Sequence, residues 1–277
     1  MDILNLTDGF APLGTGTVSV SRRKIFSGGE VDLKLSGSVT SEVTITSRLN
    51  TSDDVLQLLF ATDALRVMGA RRLHLFVPYL PYARQDRIME EGEAFSLRVF
   101  ADIVNAQNYA TVTMFDVHSD VGPALIRNSR SIPNHRLVAR VLEGKANYRI
   151  VSPDAGAFKK IHQTCHAIGH NLPPAVCLKV RVLGGEIAGT TVTEADFGGA
   201  DVFIIDDICD GGRTFIALAQ ELKKRNVGKI NLIVSHGIFS YGEAPLRDGG
   251  IDHVYTTDSV KDIASLYVTQ IPLREIL

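Results

Sequence analysis

Apolar and polar positions recur along this chain with two periods. Between residues 53 and 68, Val55, Leu58, Leu59, Ala61, Leu65 and Met68 repeat at three- and four-residue spacing and make one face, which predicts a helix. Thr51, Asp53 and Asp54 supply its cap and acidic first turn. An apolar run at 73–77 predicts a strand directly after it. The same order returns as a helix over 214–225 followed by a strand over 230–234, at an offset of 157 residues. Leu65, Gly69, Leu73, Leu75 and Val77 then stand opposite Leu222, Asn226, Ile230, Leu232 and Val234, and Asp53 stands opposite Asp210. This duplication predicts two α/β halves of similar topology, 1–140 and 141–277, with the boundary near a helix over 134–144. Further strands are expected at 31–35, 43–46, 112–115, 148–151, 202–205 and 253–256, and a helix at 95–105. Strands alternating with helices imply a mainly parallel sheet in each half.

The chain has 277 residues, enough to bury about 75% of its unfolded surface, so size does not limit the core. With 45% hydrophobic residues and a net charge of −2, it has no bulk electrostatic preference for nucleic acid or an anionic membrane. An anionic ligand must be bound locally. The first ten residues carry acids where a signal peptide carries bases, and no apolar stretch approaches about 18 residues, so a cytoplasmic protein is expected. Cys165, Cys177 and Cys209 are an odd number without metal-like spacing, which argues against a disulfide framework or a zinc site. Cys209 reads as a small turn residue rather than a nucleophile.

Residues 202–214, VFIIDDICDGGRT, are the most informative segment. A buried strand ending at Ile205 would deliver Asp206 and Asp207 at its carboxyl end, where α/β sheets bind ligands. Gly211 and Gly212 permit a tight turn, and the N–H groups of the helix that follows point at an anion above them. Carboxylates that accept sugar hydroxyls beside an anion site suggest a ribose 5-phosphate. The competing reading makes Asp210 an N-cap and leaves Asp206 and Asp207 solvated. Residues 79–87, YLPYARQDR, follow another strand and group Arg84, Gln85, Asp86 and Arg87, which suits stacking on a base and forking onto phosphates as well as it suits a polar surface loop. Strand ends at Phe115 and Ser152 deliver Asp116 with His118, and Pro153 with Asp154; imidazole and carboxylate there are plausible ligands for a divalent cation, against the alternative of a satisfied strand-end histidine. Lys179 and Arg181 flank Val180, so on a strand both cations share a face, either toward a phosphoryl group or toward solvent.

With IFSGGE at 25–30, EAFS at 93–96, VSPDAG at 151–156 and SHGIFS at 235–240 added to these motifs in the same order, the sequence resembles the ribose-phosphate pyrophosphokinases from about residue 24 to 259. The resemblance implies an α/β fold of two tandem phosphoribosyltransferase-like domains, each with a mainly parallel sheet flanked by helices. It implies ribose 5-phosphate on Asp206, Asp207, Asp210, Gly211, Gly212, Arg213 and Thr214, and ATP on Arg84 and Gln85, with Phe26 and Glu30 reaching it from a neighbouring subunit. It also implies Mg²⁺ held by His118 and Asp154, catalytic roles for Lys179 and Arg181, and a homo-oligomer built from dimers. The implied reaction transfers diphosphate from ATP to the anomeric hydroxyl of ribose 5-phosphate.

Departures from the family pattern lie at Gly28, where an acid or amide is usual, at Leu178, where an acid usually precedes the lysine, and in the phosphate loop. There Gly211 replaces a hydroxyl residue and Arg213 replaces glycine. Residues 119–130 match poorly, so allosteric control and a hexamer do not carry over. A phosphoribosyltransferase would use the same 206–214 loop but has no need of YARQDR or a second domain. A non-catalytic regulatory homologue is opposed by the retained His118, Asp154, Lys179 and Arg181.

Overall fold

The computed structural model describes residues 2–181 and 187–277, with the side chains at 179–190 outside what it describes. In chain order the elements are β1 (Asp2–Asn5), β2 (Ser19–Ile25), β3 (Val31–Ser36), β4 (Glu42–Thr46), α1 (Ser52–Val67), β5 (Arg72–Phe76), α2 (Ser96–Ala106), β6 (Thr111–Phe115), α3 (Val121–Leu125) and β7 (Ser129–Ile132). Then come α4 (His135–Leu142), β8 (Tyr148–Ser152), α5 (Phe158–Ala167), β9 (Ala175–Arg181), β10 (Ile187–Val192), β11 (Asp201–Cys209), α6 (Arg213–Leu222), β12 (Ile230–Gly237), α7 (Ala244–Asp248), β13 (His253–Thr257) and β14 (Val268–Ile271). Two compact units result. One runs to Pro133 and includes Leu273–Glu275 and Leu277; the other spans Asn134–Pro272 with Ile276, so α4 opens the second unit.

The first unit holds a five-stranded sheet in the order β1-β4-β5-β6-β7, parallel throughout. Val43 and Ile45 pair with Leu73 and Leu75, and these side chains are buried with Leu58 and Leu65 of α1 and Leu97 and Phe100 of α2. The face expected of α1 is the one it buries, and its start is a capping box: Thr51 accepts from the Asp54 N–H while Asp54 accepts from the Thr51 N–H at 2.8 Å. β2 and β3 form a separate antiparallel hairpin, exposed along β2.

The second unit holds seven strands in the order β10-β9-β8-β11-β12-β13-β14, with only β10 antiparallel to its neighbour. Val202, Ile204, Leu232, Val234 and Val254 bury one face of this sheet with Phe215, Leu218, Ala219 and Leu222 of α6. Near-continuous apolar runs in β11 and β12 are what a sheet covered on both faces requires.

The structure corrects the expected end of the strand at Ile205. β11 continues to Cys209 because β12 also runs on, pairing Asp206 with Val234 and Ile208 with His236. On the other side, pairing with β8 stops at Ile204 and Val151, so Asp206 and Asp207 lie beyond the ladder on that edge only. Among the described residues, no helix is long and apolar enough to cross a membrane.

Candidate active site

The second unit gathers carboxylates just after β8 and in the last four residues of β11, where the ladder to β8 has ended. Asp207 is buried, and its N–H donates to the Asp206 carboxylate at 2.9 Å. Burial, then the Asp207 charge and the side-chain hydrogen bond with Asp207, with Asp154 adding to them and the Asp207 N–H opposing them, push the Asp206 carboxyl well above the usual carboxylate range. Asp154 is half-buried after β8, where it accepts from the Ala157 N–H at 2.9 Å. Negative charge concentrated in this way favours a cation or hydroxyl donors over a bare anion.

The anion position lies one turn further along the chain. Gly212 takes the left-handed conformation at φ +75° and is itself the N-cap of α6, with no side-chain cap bond. That decides against Asp210 as the capping residue. A glycine N-cap supplies no side-chain acceptor of its own to the first N–H groups of α6, and helix starts of this kind bind anions. A Cβ on Gly212 would lie 2.6 Å from Leu246, so the close approach as well as the conformation requires glycine. Arg213 is exposed at the first position of α6 and Thr214 is half-buried behind it. Ser240, to which no role fell from the sequence, donates to the Asp210 carboxylate. Cys209 is fully buried, and burial, with the charges of Asp206 and Asp210, pushes its thiol up to about 12, so it stays protonated and is no nucleophile. All three cysteines are free and buried, in line with the expected absence of a disulfide framework.

The first unit carries its own polar strand-end groups. After β5 the chain turns through Tyr82 at φ +62°, leaving Arg84 and Gln85 exposed and Asp86 buried, with Arg87 Nε donating to Asp86 at 3.0 Å. The loop is anchored by the Tyr82 ring, 5.6 Å from that of Phe100, and by the Leu97 N–H donating to the Gln85 carbonyl at 3.3 Å. After β6, Asp116 is buried at φ +46° and His118 is exposed. Non-glycine residues held left-handed at two strand ends mark local strain of the kind that concentrates at functional sites. Phe26 and Glu30 sit at the exposed tip of the β2–β3 hairpin, with Lys24 Nζ 4.5 Å from the Phe26 ring centre.

Phe26, Glu30, Arg84, Gln85 and His118 thus belong to the first unit, and Asp154, Asp206, Asp207, Asp210, Gly211, Gly212, Arg213 and Thr214 to the second. Within the second unit, the charges of Asp207 and, less strongly, Asp154 act on Asp206. Lys179 and Arg181 fall on β9 by backbone, while their side chains lie outside the described residues.

Residues 12–107 match the model of the N-terminal domain of ribose phosphate pyrophosphokinase, and residues 186–272 match that of the phosphoribosyl synthetase-associated domain. The chain is 28% identical over 250 residues to the ribose-phosphate pyrophosphokinase of Mycoplasmopsis pulmonis, covering 86% of this chain and 76% of that one. It is 28% identical over 243 residues to the enzyme of that name from Thermococcus kodakarensis, covering 86% and 84%. The phosphoribosylpyrophosphate synthetase of Mycobacterium smegmatis shares the fold at a TM-score of 0.80, with 21% identity, over 93% of this chain and 87% of that chain. With both domain models matched in order and the fold shared over nearly its whole length, the chain belongs to the ribose-phosphate pyrophosphokinase family.

Proposed function

We propose that this chain transfers the diphosphoryl group of ATP to the anomeric hydroxyl of ribose 5-phosphate, giving 5-phosphoribosyl diphosphate and AMP. The observation that carries this reading is the chemistry of the second unit, where the adjacent carboxylates of Asp206 and buried Asp207 precede a left-handed glycine turn that opens α6. Asp206 and Asp207 accept the ribose hydroxyls. The 5-phosphate takes the N–H groups of residues 211–214, with Arg213 adding a cation. Arg84 and Gln85 are assigned to ATP, with Phe26 and Glu30 of a neighbouring copy at its adenine end.

Oxygen donors suit Mg²⁺, which takes few protein ligands and completes its shell with phosphates and water. Asp154 of the second unit fits this donor set; His118, in the first unit and with a nitrogen donor, keeps only the metal role that the family resemblance implies. When bound, the ion supplies charge neutralisation on the phosphates. Lys179 and Arg181 are assigned to the charge that develops on the transferring group. Diphosphoryl transfer needs alignment and charge neutralisation rather than a covalent nucleophile, in keeping with the buried, protonated Cys209.

Incubation of the protein with ATP, Mg²⁺ and ribose 5-phosphate tests the reading. AMP and phosphoribosyl diphosphate should appear in equal amounts. Folded protein that releases no AMP refutes it.

A further inference from the structure

The motif SHGIFS at 235–240 leaves β12 and was given no chemical role by the sequence. In the fold it backs the turn between β11 and α6. The N–H groups of Ile238 and Phe239 both donate to the Cys209 carbonyl, at 2.9 and 3.1 Å, which holds the residue directly before Asp210. Ser240 Oγ donates to Asp210 Oδ1. The Tyr241 ring lies against Gly211, 3.0 Å from where a Cβ would stand, and Leu246 of α7 lies against Gly212. The strand end, Asp210 and Gly211 are thus met by one neighbouring segment, 237–241, and Gly212 by α7 just beyond it.

That segment is itself tightly specified. Phe239 is buried yet held at φ +48°, a conformation costly for an aromatic residue, and its ring occupies the space a side chain on residue 237 would need, so Gly237 is required. The Gly242 N–H donates to the Phe239 carbonyl at 3.0 Å, and Lys261 Nζ donates to the Ile238 carbonyl at 2.6 Å. Strain of this kind persists where the surroundings over-determine the backbone.

We propose that the segment 237–241 is a brace for the anion-binding turn, and that Ser240 is its positioning residue, orienting the Asp210 carboxylate without touching substrate. The kinetic part rests on the assignment of ribose 5-phosphate to this turn. The structural part does not.

Three chains test it: wild type, Ser240→Ala and Ser240→Thr. Ser240→Ala should raise KM for ribose 5-phosphate about tenfold, equivalent to about 1.4 kcal/mol, while KM for ATP and kcat stay within about threefold, as expected for loss of one charge-assisted hydrogen bond. Ser240→Thr, which keeps the hydroxyl, should restore the wild-type KM. In ligand-free protein, hydrogen exchange of the amides at 210–214 should speed up in Ser240→Ala and not in Ser240→Thr. Unchanged exchange in Ser240→Ala overturns the brace, whatever the protein's activity. Faster exchange with an unchanged KM for ribose 5-phosphate, in a wild type that forms phosphoribosyl diphosphate, overturns the positioning role of Ser240. A wild type that forms no product sinks the functional reading, and the exchange experiment then still supports or overturns the brace.

Discussion

Replacing Gly212 by alanine should destabilise the second unit by about 1–4.5 kcal/mol. Two terms make up that figure. The left-handed conformation at φ +75° costs an L-residue about 1–2 kcal/mol. The new methyl would stand 2.6 and 3.2 Å from Cδ2 and Cγ of Leu246, a core side chain 1% exposed, and overpacking of a buried side chain costs about 1–3 kcal/mol. The stiffer unfolded chain returns only about 0.4–1 kcal/mol of this. Gly211→Ala is the matched control one residue away. Its φ is not positive, and its methyl would meet only the ring of Tyr241 at 3.0 and 3.1 Å, a shift of a few tenths of an ångström for a ring 67% exposed, so less than about 1 kcal/mol is expected. Urea unfolding followed by circular dichroism measures both, with the midpoint moving at constant slope. Equal stability of the two variants would refute the argument, because it would mean that neither the backbone conformation nor the Leu246 contact constrains this turn.

Asp206→Asn should stabilise the ligand-free protein by about 1 kcal/mol near pH 8 while weakening ribose 5-phosphate binding. Because the native carboxyl is raised above its unfolded value, the native state holds the extra proton, and its contribution to stability is present at low pH and lost as pH rises through the native pKa. The advantage of Asn should therefore shrink toward about pH 4, and a difference in melting temperature that does not change with pH would count against the raised pKa. Thr51→Ala should cost about 1 kcal/mol by opening the capping box of α1, again read by denaturation; no loss would mean that water replaces the cap equally well. Lys179→Ala should lower kcat by about 100-fold or more in the assay for AMP release, and near-normal turnover would remove the lysine from its assigned role.

Local pattern was sufficient for the elements whose two faces differ. α1 stands out because Leu58, Ala61 and Leu65 recur on one side, and β5, β6 and β12 because apolar runs sit between turn signals. Elements without that contrast were missed. β2 is exposed nearly throughout and β7 is a short polar edge strand, and each exists because a neighbour supplies hydrogen bonds. α5 has few apolar positions, and it is set by where Ile161, Thr164 and Cys165 can be buried.

At the site the division runs along the same line. Residue types and their order already pointed to strand-end acids, a glycine turn and a helix start, since those depend on chemistry and on neighbours in sequence. How far β11 extends, which residue caps α6 and what backs the turn depend on β12, α7 and the loop between them, far away in the chain. The sequence by itself determined which groups are available, because side-chain chemistry and local periodicity are written residue by residue. Only the tertiary structure decided that Asp206 is buried enough to carry a raised pKa beside Asp207 and that Ser240 holds Asp210, because burial and the Ser240 contact come from residues distant in sequence and close in space.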